Sequence, residues 1–238
     1  MVIPKTLVVI PTYNESANLM DVITRIRSAV PNIDILVVDD NSPDGTGEIA
    51  EAARNSQTFV LHRSEKNGLG PAYLAGFAWA LEQDYAQVVE MDADGSHQPE
   101  QLPIMLAAAQ VSDLVIGTRW MPGGQVVNWP TGRRLISRFG TRYASVLLKL
   151  PYKDLTSGYR VLSSDLVKLV LGSQLRTLGY GFQIEIVLIA EQNSRRIAQV
   201  PITFVERTAG ESKMSRAIVF EAWLKTTAWG FQRMIYRR

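Results

Sequence analysis

The chain has 238 residues, of which 46% are hydrophobic, and it contains no cysteine. This length suits one large domain with a sizeable core, and the lack of cysteine excludes a disulfide framework and a zinc–thiolate site. No stretch approaches the roughly 20 apolar residues that a membrane span needs. The apolar run at 7–10 is also too short for a secretory signal.

Charge is distributed unevenly along the chain, although the net charge is only +2. Residues 1–118 carry 6 Lys/Arg and 16 Asp/Glu, whereas residues 119–238 carry 19 Lys/Arg and 7 Asp/Glu. An acidic half is suited to a cation, and a basic half to phosphate groups or an anionic membrane surface. The basic residues are spread thinly and are not interleaved with aromatic residues, so we predict no binding to nucleic acid.

Strand and helix patterns alternate in the first 118 residues. Strands are predicted at 6–10, 33–38, 58–61, 88–91 and 114–117, and helices at 17–30, 47–54, 71–81 and 99–109. This alternation predicts an α/β fold whose central sheet is mostly parallel and is flanked by helices on both faces. Ligands of such sheets bind beyond the carboxyl ends of the strands.

The second half is less regular. A mobile loop is predicted at 122–132, a helix at 134–150, a loop at 154–160, a helix at 182–192 and a strand at 197–205. No linker is evident, so we predict a single domain. It would comprise a nucleotide and metal half (1–118), an acceptor half (119–214) and a C-terminal helix (215–238).

The C-terminal segment is predicted to be an amphipathic helix. Its apolar residues are Phe220, Trp223, Leu224 and Phe231. Its basic residues are Arg216, Lys225, Arg233, Arg237 and Arg238. Aromatic residues opposite basic ones favour a helix that lies in a membrane interface. Packing of this helix on the core of the domain is the alternative interpretation.

Two carboxylates, Asp92 and Asp94, follow the strand predicted at 88–91. Carboxylates placed two residues apart at a strand end can converge on one divalent cation. Their hard oxygens suit Mg²⁺ or Mn²⁺ and leave positions for phosphate oxygens and water. Such a cation would neutralise a leaving diphosphate, which indicates a nucleotide-activated substrate. The alternative is a helix cap beside a solvated acid. His97 could approach the cation, although a structural role is favoured.

Two other strand ends carry polar residues. Tyr13 could stack on a base and Glu15 could bind a base or ribose, with a plain turn before a helix as the alternative. Asp40 ends the second strand, where an acid commonly binds ribose hydroxyls. Turn formation before Gly45 is the competing interpretation. All these residues follow strands, as Asp92 does, so we expect them to share one cleft.

Several basic residues could bind phosphate. Arg119 follows the strand at 114–117 and would face the same cleft. Arg133, Arg134 and Ser137 lie near a predicted helix start, where a phosphate can be seated; a solvated helix face is the alternative. Arg207 and Lys213 flank a polar segment that could close over a diphosphate or could simply be a surface loop.

Together these stretches resemble the dolichol-phosphate (polyprenol-phosphate) mannosyltransferases, which belong to the inverting family 2 glycosyltransferases. The matching stretches are PTYNE at 11–15, VDDNSPDGT at 38–46, GLG at 68–70, MDAD at 91–94, GTR at 117–119, PITFVER at 201–207 and GESK at 210–213. The similarity spans about residues 5–215. It implies a nucleotide-sugar transferase fold of the GT-A type.

The resemblance also implies roles for individual residues. It implies a guanosine site made of Pro11, Tyr13, Glu15, Val38 and Asp40. It assigns the metal and the diphosphate to Asp92, Ala93 and Asp94, with Arg119, Arg207 and Lys213 near the diphosphate or the sugar. It places the acceptor phosphate at Arg133 and Ser137, next to Arg134. Asp94, Arg119 and Arg133 are the residues predicted to contribute directly to catalysis.

The implied reaction transfers mannose from GDP-mannose to polyprenyl (dolichyl) phosphate with inversion and with Mg²⁺ or Mn²⁺. A phosphate monoester is already anionic, so this nucleophile needs positioning by cations and no general base. The enzyme would be cytoplasmic and bound peripherally to the membrane surface, with or without a membrane-protein partner. Two alternatives are a UDP-sugar transferase acting on the same acceptor and a non-catalytic nucleotide-binding subunit of a membrane complex.

Overall fold

A seven-stranded sheet forms the centre of the protein in a computed structural model that describes residues 4–173, 175, 177, 181–207 and 224–230. Its strands are β1 (Thr6–Thr12), β2 (Asp34–Asp39), β3 (Thr58–His62), β4 (Gln87–Glu90), β5 (Leu114–Thr118), β7 (Arg160–Ser163) and β8 (Ile197–Pro201). They are ordered β3-β2-β1-β4-β7-β5-β8, and β7 runs antiparallel to both of its neighbours. A small parallel sheet pairs β6 (Gln125–Val127) with β9 (Thr203–Val205).

Helices cover both faces of the sheet. They are α1 (Leu19–Ala29), α2 (Thr46–Ala52), α3 (Leu69–Glu82), α4 (Leu102–Ala108), α5 (Thr131–Leu148), α6 (Ser164–Leu171) and α7 (Gly181–Gln192). A 3₁₀ turn at Pro99–Gln101 precedes α4, and residues 224–230 are also helical. The prediction of a mostly parallel sheet with helices on both faces is confirmed.

Alternate residues of the central strands supply two cores, one on each face of the sheet. Leu7 and Val9 of β1 pack in the core that α3, α6 and α7 cover. Val8 and Ile10 of the same strand pack in the core that α1 and α4 cover. Because successive side chains of a strand point to opposite faces, a strand buried on both faces needs the continuous apolar run found here.

Helix α3 lies unusually close to β1. A Cβ atom on Gly76 would lie 2.5 Å from Cγ1 of Val9, so glycine is required for this approach. Gly68 precedes the helix with φ of 98°, a backbone conformation that favours glycine. Pro71 is the third residue of α3, whereas the sequence predicted it at the helix start.

Other predicted elements in the second half need correction. The predicted loop 122–132 contains β6, which pairs with β9. The predicted strand 197–205 is two strands of different sheets, because the chain leaves β8 at Ile202 and joins β6. The predicted loop 154–160 extends one residue too far, since Arg160 begins β7. Strand β7 and helix α6 had no counterpart in the sequence-based prediction.

Candidate active site

The carboxyl ends of β2, β1 and β4 lie side by side at one edge of the sheet, because these strands are parallel neighbours. The backbone amide of Asp40 donates to the carbonyl of Thr12 at 3.0 Å and joins the first two strand ends directly. The segments predicted to share one cleft therefore begin at the same edge of the sheet. The loops that carry Tyr13, Asp40 and Asp92 lie there.

The loops after β1 and β2 form one end of the cleft. Asp40 is buried and accepts from Arg63 Nη1 at 2.7 Å. Burial raises the pKa of Asp40, and the Arg63 charge opposes that shift. The Tyr13 ring is half-buried, and Lys66 Nζ lies 4.0 Å from its centre. This end of the cleft thus combines an aromatic face, a carboxylate and two cations.

Glu15 and Asp39 hold this end of the cleft together. Glu15 is buried, its amide donates to Thr46 Oγ1 at 2.9 Å, and its carboxylate accepts from Asn18 Nδ2 at 3.0 Å. Asp39 accepts from Thr12 Oγ1 at 3.0 Å and from the amide of Ser42 at 3.1 Å. Of the two adjacent acids, Asp39 therefore fixes the turn.

The acidic pair after β4 is arranged around two further contacts. Asp94 Oδ1 accepts from the amide of Ser96 at 3.0 Å, and its Oδ2 lies 3.3 Å from Arg207 Nη2. Asp92 Oδ1 accepts from the Tyr73 hydroxyl at 3.4 Å. Burial, and then the like charge of Asp94, raises the pKa of Asp92. The Asp92 side chain stays 32% exposed, so a cation can reach it.

His97 orients Asp92. The His97 ring is buried, and its Nδ1 accepts from the amide of Asp92 at 3.0 Å. Its Nε2 lies 3.8 Å from Asp92 Oδ2, and burial lowers the pKa of His97, which favours the neutral ring with the proton on Nε2. The ring stacks on Tyr159 at 5.0 Å and meets Phe204 edge-on at 5.5 Å. This geometry supports the structural role favoured from the sequence.

The acidic pair suits a divalent cation that takes its other ligands from elsewhere. In the part of the chain that the structure describes, no three His, Cys, Asp or Glu residues come together as a metal site. Asp92 and Asp94 supply hard oxygen ligands, and a guanidinium already lies against Asp94 as a cation would. Phosphate oxygens and water would complete the coordination of Mg²⁺ or Mn²⁺.

Arg119 is held by a carboxylate that the sequence did not single out. Its Nε and Nη2 donate to the two oxygens of Asp154 at 2.7 and 2.8 Å, and its amide donates to Asp154 Oδ2 at 3.1 Å. Asp154 is fully buried and Arg119 is 7% exposed. The proposed contact of Arg119 with diphosphate or sugar stays a prediction. Its partner lies 35 residues away, and no local signal could have identified it.

Arg133 lies in the first turn of α5, where its guanidinium forms an ion pair with Glu206. The guanidinium also lies 4.3 Å from the centre of the Trp129 ring. Arg134 is exposed and Ser137 is half-buried on the same helix. The sequence predicted the place of these three residues at a helix start. It assigned no role to Glu206, although this residue lies in the matching stretch PITFVER and next to Arg207.

Aromatic rings line the wall beside the two arginines. The Arg119 guanidinium lies 5.4 to 5.7 Å from the centres of three rings, which belong to Trp120, Trp129 and Phe204. Trp129 meets both of the other rings edge-on. Glycine is required at position 124 beside this wall, because a Cβ atom there would lie 2.5 Å from the carbonyl oxygen of Thr118.

A buried acid and a buried arginine lie on neighbouring strands, where β4 ends before the acidic pair. Glu90 and Arg160 are opposite each other in the β4–β7 ladder, and neither is exposed to solvent. Arg160 donates to the carbonyls of Leu155, Ser157 and Gln183 at 2.7 to 2.8 Å. Burial raises the pKa of Glu90 to about 7, although the Arg160 charge lowers it.

Some predicted site residues lie outside the described residues. These are Lys213, the polar segment at 208–212 and most of the C-terminal helix at 215–238. Within that helix the structure describes 224–230, where Leu224 is exposed and Lys225 is half-buried. No described helix is both long enough and apolar enough to cross a membrane.

Comparison with known proteins identifies the family. The model of a family described as "Glycosyl transferase family 2" matches residues 7–171. The chain belongs to this family. It is therefore a glycosyltransferase, in agreement with the sequence-based prediction.

Curated relatives extend the similarity over nearly the whole chain. An undecaprenyl-phosphate mannosyltransferase of Micrococcus luteus is 51% identical, over 95% of this chain and 94% of its own length. A polyprenol monophosphomannose synthase of Mycolicibacterium smegmatis is 45% identical, over 98% and 89%. A dolichol-phosphate mannosyltransferase of Pyrococcus furiosus is 37% identical over 91% of this chain, which spans only 61% of that longer protein.

Solved structures agree with the fold. A glucosyl-3-phosphoglycerate synthase of Mycobacterium tuberculosis, in complex with Mn²⁺, UDP and phosphoglyceric acid, superposes with a TM-score of 0.70 at 21% identity. The match covers 95% of this chain and 78% of that one. A mannosyl-3-phosphoglycerate synthase of Rubrobacter xylanophilus gives 0.67 at 18% identity, over 97% and 75%. The predicted fold of the GT-A type is confirmed.

Proposed function

We propose that this glycosyltransferase transfers mannose from GDP-mannose to polyprenyl phosphate and inverts the configuration at the sugar carbon. One observation of the structure carries the proposal. The acidic pair Asp92–Asp94 and the basic seat at Arg133 are linked by the adjacent residues Arg207 and Glu206. The proposed cation site and the proposed phosphate seat would therefore lie next to each other. The names of the curated relatives support mannose as the sugar and polyprenyl phosphate as the acceptor.

The donor nucleotide would occupy the end of the cleft formed by the loops after β1 and β2. Tyr13 offers a ring for stacking on the base, and Asp40 offers a carboxylate for a hydroxyl or amino group. Pro11, Glu15 and Val38 would complete the guanosine site. Lys66 and Arg63 add positive charge beside these groups, which favours an anionic nucleotide.

The leaving group would lie against the acidic pair. Mg²⁺ or Mn²⁺ held by Asp92 and Asp94, when bound, would neutralise the diphosphate that leaves with the nucleoside. His97 keeps Asp92 in place through its backbone amide. Arg207 lies against Asp94 and can turn its charge to the diphosphate, with Ala93 and Lys213 nearby in sequence. Arg119, held by Asp154, would add charge near the transferred sugar.

The acceptor phosphate would bind at the start of α5, near Arg133, Arg134 and Ser137. A phosphate monoester carries about −1.5 to −2 charges at neutral pH, so its oxygen can attack without a general base. The task of the protein is to bring this anion close to another anion, and fixed arginines perform it. The chemistry of the acceptor thus matches the charge of this helix end.

The exposed face of α5 would bring the enzyme to the membrane that holds the lipid. Leu135, Ile136 and Phe139 are 63 to 69% exposed, and Arg138 and Arg142 are exposed on the same helix. Apolar residues among basic ones suit the boundary of an anionic membrane. Since Arg133 starts this helix, the phosphate seat would lie close to the lipid headgroups.

A turnover assay tests the proposed function. The purified protein is incubated with Mn²⁺, a short-chain polyprenyl phosphate and radiolabelled GDP-mannose, with UDP-glucose and UDP-N-acetylglucosamine in parallel. Formation of radiolabelled, lipid-linked mannose together with GDP supports the proposal. Transfer from a UDP-sugar alone would establish the alternative donor. Absence of transfer from all donors, with GDP still bound, would favour a non-catalytic nucleotide-binding subunit.

A further inference from the structure

Two consecutive residues, Glu206 and Arg207, contact the two opposite sides of the proposed site. The Glu206 carboxylate is paired with Arg133 in the acceptor seat, and both side chains are 25% exposed. The Arg207 guanidinium lies 3.3 Å from Asp94, and these side chains are 17% and 10% exposed. One short segment of backbone therefore presents an anion to the phosphate seat and a cation to the metal site.

The backbone that carries these residues is fixed to both sides of the cleft. The amide of Val205 donates to the carbonyl of Ser96 at 3.1 Å, within the loop after the acidic pair. The amide of Glu206 donates to the carbonyl of Val127 at 3.0 Å, two residues before Trp129. Because the two side chains share this anchored backbone, Glu206 and Arg207 stay close to each other whichever partners they bind.

The ion pair of Arg133 and Glu206 leaves polar atoms unsatisfied. Arg133 Nε and Glu206 Oε2 are buried, and neither finds a hydrogen-bond partner among the described residues. The Glu206 carboxylate therefore leaves part of the hydrogen-bonding capacity of the Arg133 guanidinium unused. A phosphate, with three oxygens in a tetrahedral arrangement, can accept from two guanidinium nitrogens at once. In the pairing observed here, the carboxylate does not use this capacity, and a phosphate could.

We propose that Glu206 determines acceptor affinity as an internal competitor for the acceptor phosphate. Its carboxylate occupies Arg133 when no acceptor is bound, and it must leave when a phosphate monoester arrives. Its departure is coupled to the donor side, since a cation at Asp92 and Asp94 displaces Arg207 from Asp94, and the displaced guanidinium attracts the adjacent Glu206 carboxylate away from Arg133. This inference rests on the proposed function, because it takes Arg133 as the acceptor seat.

The inference predicts the sign of a charge-removing substitution. Glu206→Gln keeps the size of the side chain and removes the competing charge, so acceptor phosphate should bind more tightly. If Glu206 instead held Arg133 in its binding position, the same change would weaken binding. Calorimetric titration with farnesyl phosphate, with no donor and in EDTA, measures this. We expect an affinity gain of about tenfold, as for a lost charge-assisted hydrogen bond.

The coupling is tested by repeating the titration with Mn²⁺ and GDP. Wild-type protein should bind farnesyl phosphate several-fold more tightly than in EDTA, whereas Glu206→Gln should show little change. Glu100→Gln is the matched control, because Glu100 pairs with Arg25 at 2.8 Å elsewhere on the protein. This control should behave as the wild type does in both conditions.

Each outcome of these titrations decides the inference. Unchanged or weaker binding by Glu206→Gln would overturn the competitor role. Equal affinity of the wild type with and without Mn²⁺ and GDP would overturn the coupling, and this measurement needs no variant to fold. If neither wild type nor variant binds farnesyl phosphate while GDP still binds, the proposed acceptor is wrong and the inference is refuted with it.

Discussion

Single side chains at the strand ends carry the charges on which the proposed reaction depends. Asp92 and Asp94 were predicted because their spacing after an apolar strand is a local pattern. Their neighbours then set how they behave: a neutral His97 orients the first, and Arg207 lies against the second. The chemistry of each carboxylate thus depends on a neighbouring side chain, which is close in sequence for Asp92 and distant for Asp94.

Asp94→Asn should reduce transfer at least about 100-fold, because it removes one of the two charges that would hold the cation. The amide is nearly isosteric, so the melting temperature should stay close to that of the wild type. Steady-state assays at saturating Mg²⁺ and at saturating Mn²⁺ check this, with thermal melts in parallel. Near-normal turnover with either metal would contradict the role of Asp94.

Asp154→Ala should destabilise the fold by roughly 3–5 kcal/mol, because it leaves the buried guanidinium of Arg119 without its partner. Urea unfolding followed by circular dichroism measures the change. Asp165→Ala is a matched control, since its ion pair with Lys168 is 63% exposed on both sides. Exposed pairs contribute about 0–1 kcal/mol. Equal losses in the two variants would argue against a special role for Asp154.

The ion-pair partners of Arg119 and Arg133 are contacts that could not be predicted from the sequence. Both arginines were placed at the cleft, since each follows a strand or begins a helix. Asp154 and Glu206 were not recognised, because they are 35 and 73 residues away from the arginines they bind. Pairing across such distances is decided by the sheet order, which the local pattern does not contain.

Helices and strands of the first half were predictable, whereas several of the second half were not. Strands buried on both faces have continuous apolar runs, and the helices between them have clear periodicity. Strand β7 has four residues and begins with a buried arginine, which argues against a strand in a pattern-based reading. The stretch from β8 to β9 is mostly apolar, and only Pro201 marks the change of sheet at Ile202.

Helix α5 permits a prediction about membrane binding. Phe139→Glu should weaken binding to anionic liposomes and lower activity on a long-chain acceptor, with little effect on a short-chain one. The reason is that a carboxylate on this face opposes both apolar insertion and attraction to anionic lipid. Co-sedimentation at low and high salt measures binding.

Val111→Glu is the control for the α5 variant, because Val111 is 66% exposed and follows α4. It introduces the same side chain on a different part of the surface. Equal losses of liposome binding in the two variants would contradict a specific role for the α5 face. A loss of activity on the short-chain acceptor as well would point to damage of the phosphate seat.

The stability of the whole molecule depends on the protonation of one buried acid, Glu90. The pKa of Glu90 is about 7 in the folded protein, mainly because of burial, against an ordinary value of 4.5. A raised folded pKa means that this contribution to stability is fully present below about pH 4.5 and is lost as the pH rises through 7. The difference corresponds to about 3 kcal/mol.

Glu90→Gln should therefore flatten the dependence of unfolding free energy on pH between 5 and 8. Glutamine stays neutral over this range, so the fold no longer loses stability as position 90 ionises. Urea unfolding of wild type and variant in EDTA, at several pH values, provides the comparison. Parallel curves for the two proteins would show that Glu90 does not titrate in this range.

The antiparallel strand β7 has a consequence for how the molecule is built. Strand β5 ends and β7 begins at the same edge of the sheet, and the two are hydrogen-bonded neighbours. Residues 119–159, with α5 and the proposed phosphate seat, are thus the connection of one very long hairpin. The entropic cost of closing a connection rises only slowly with its length. Exchange of that connection would change the acceptor, whether lipid or soluble, while the strands proposed to hold the nucleotide stay in place.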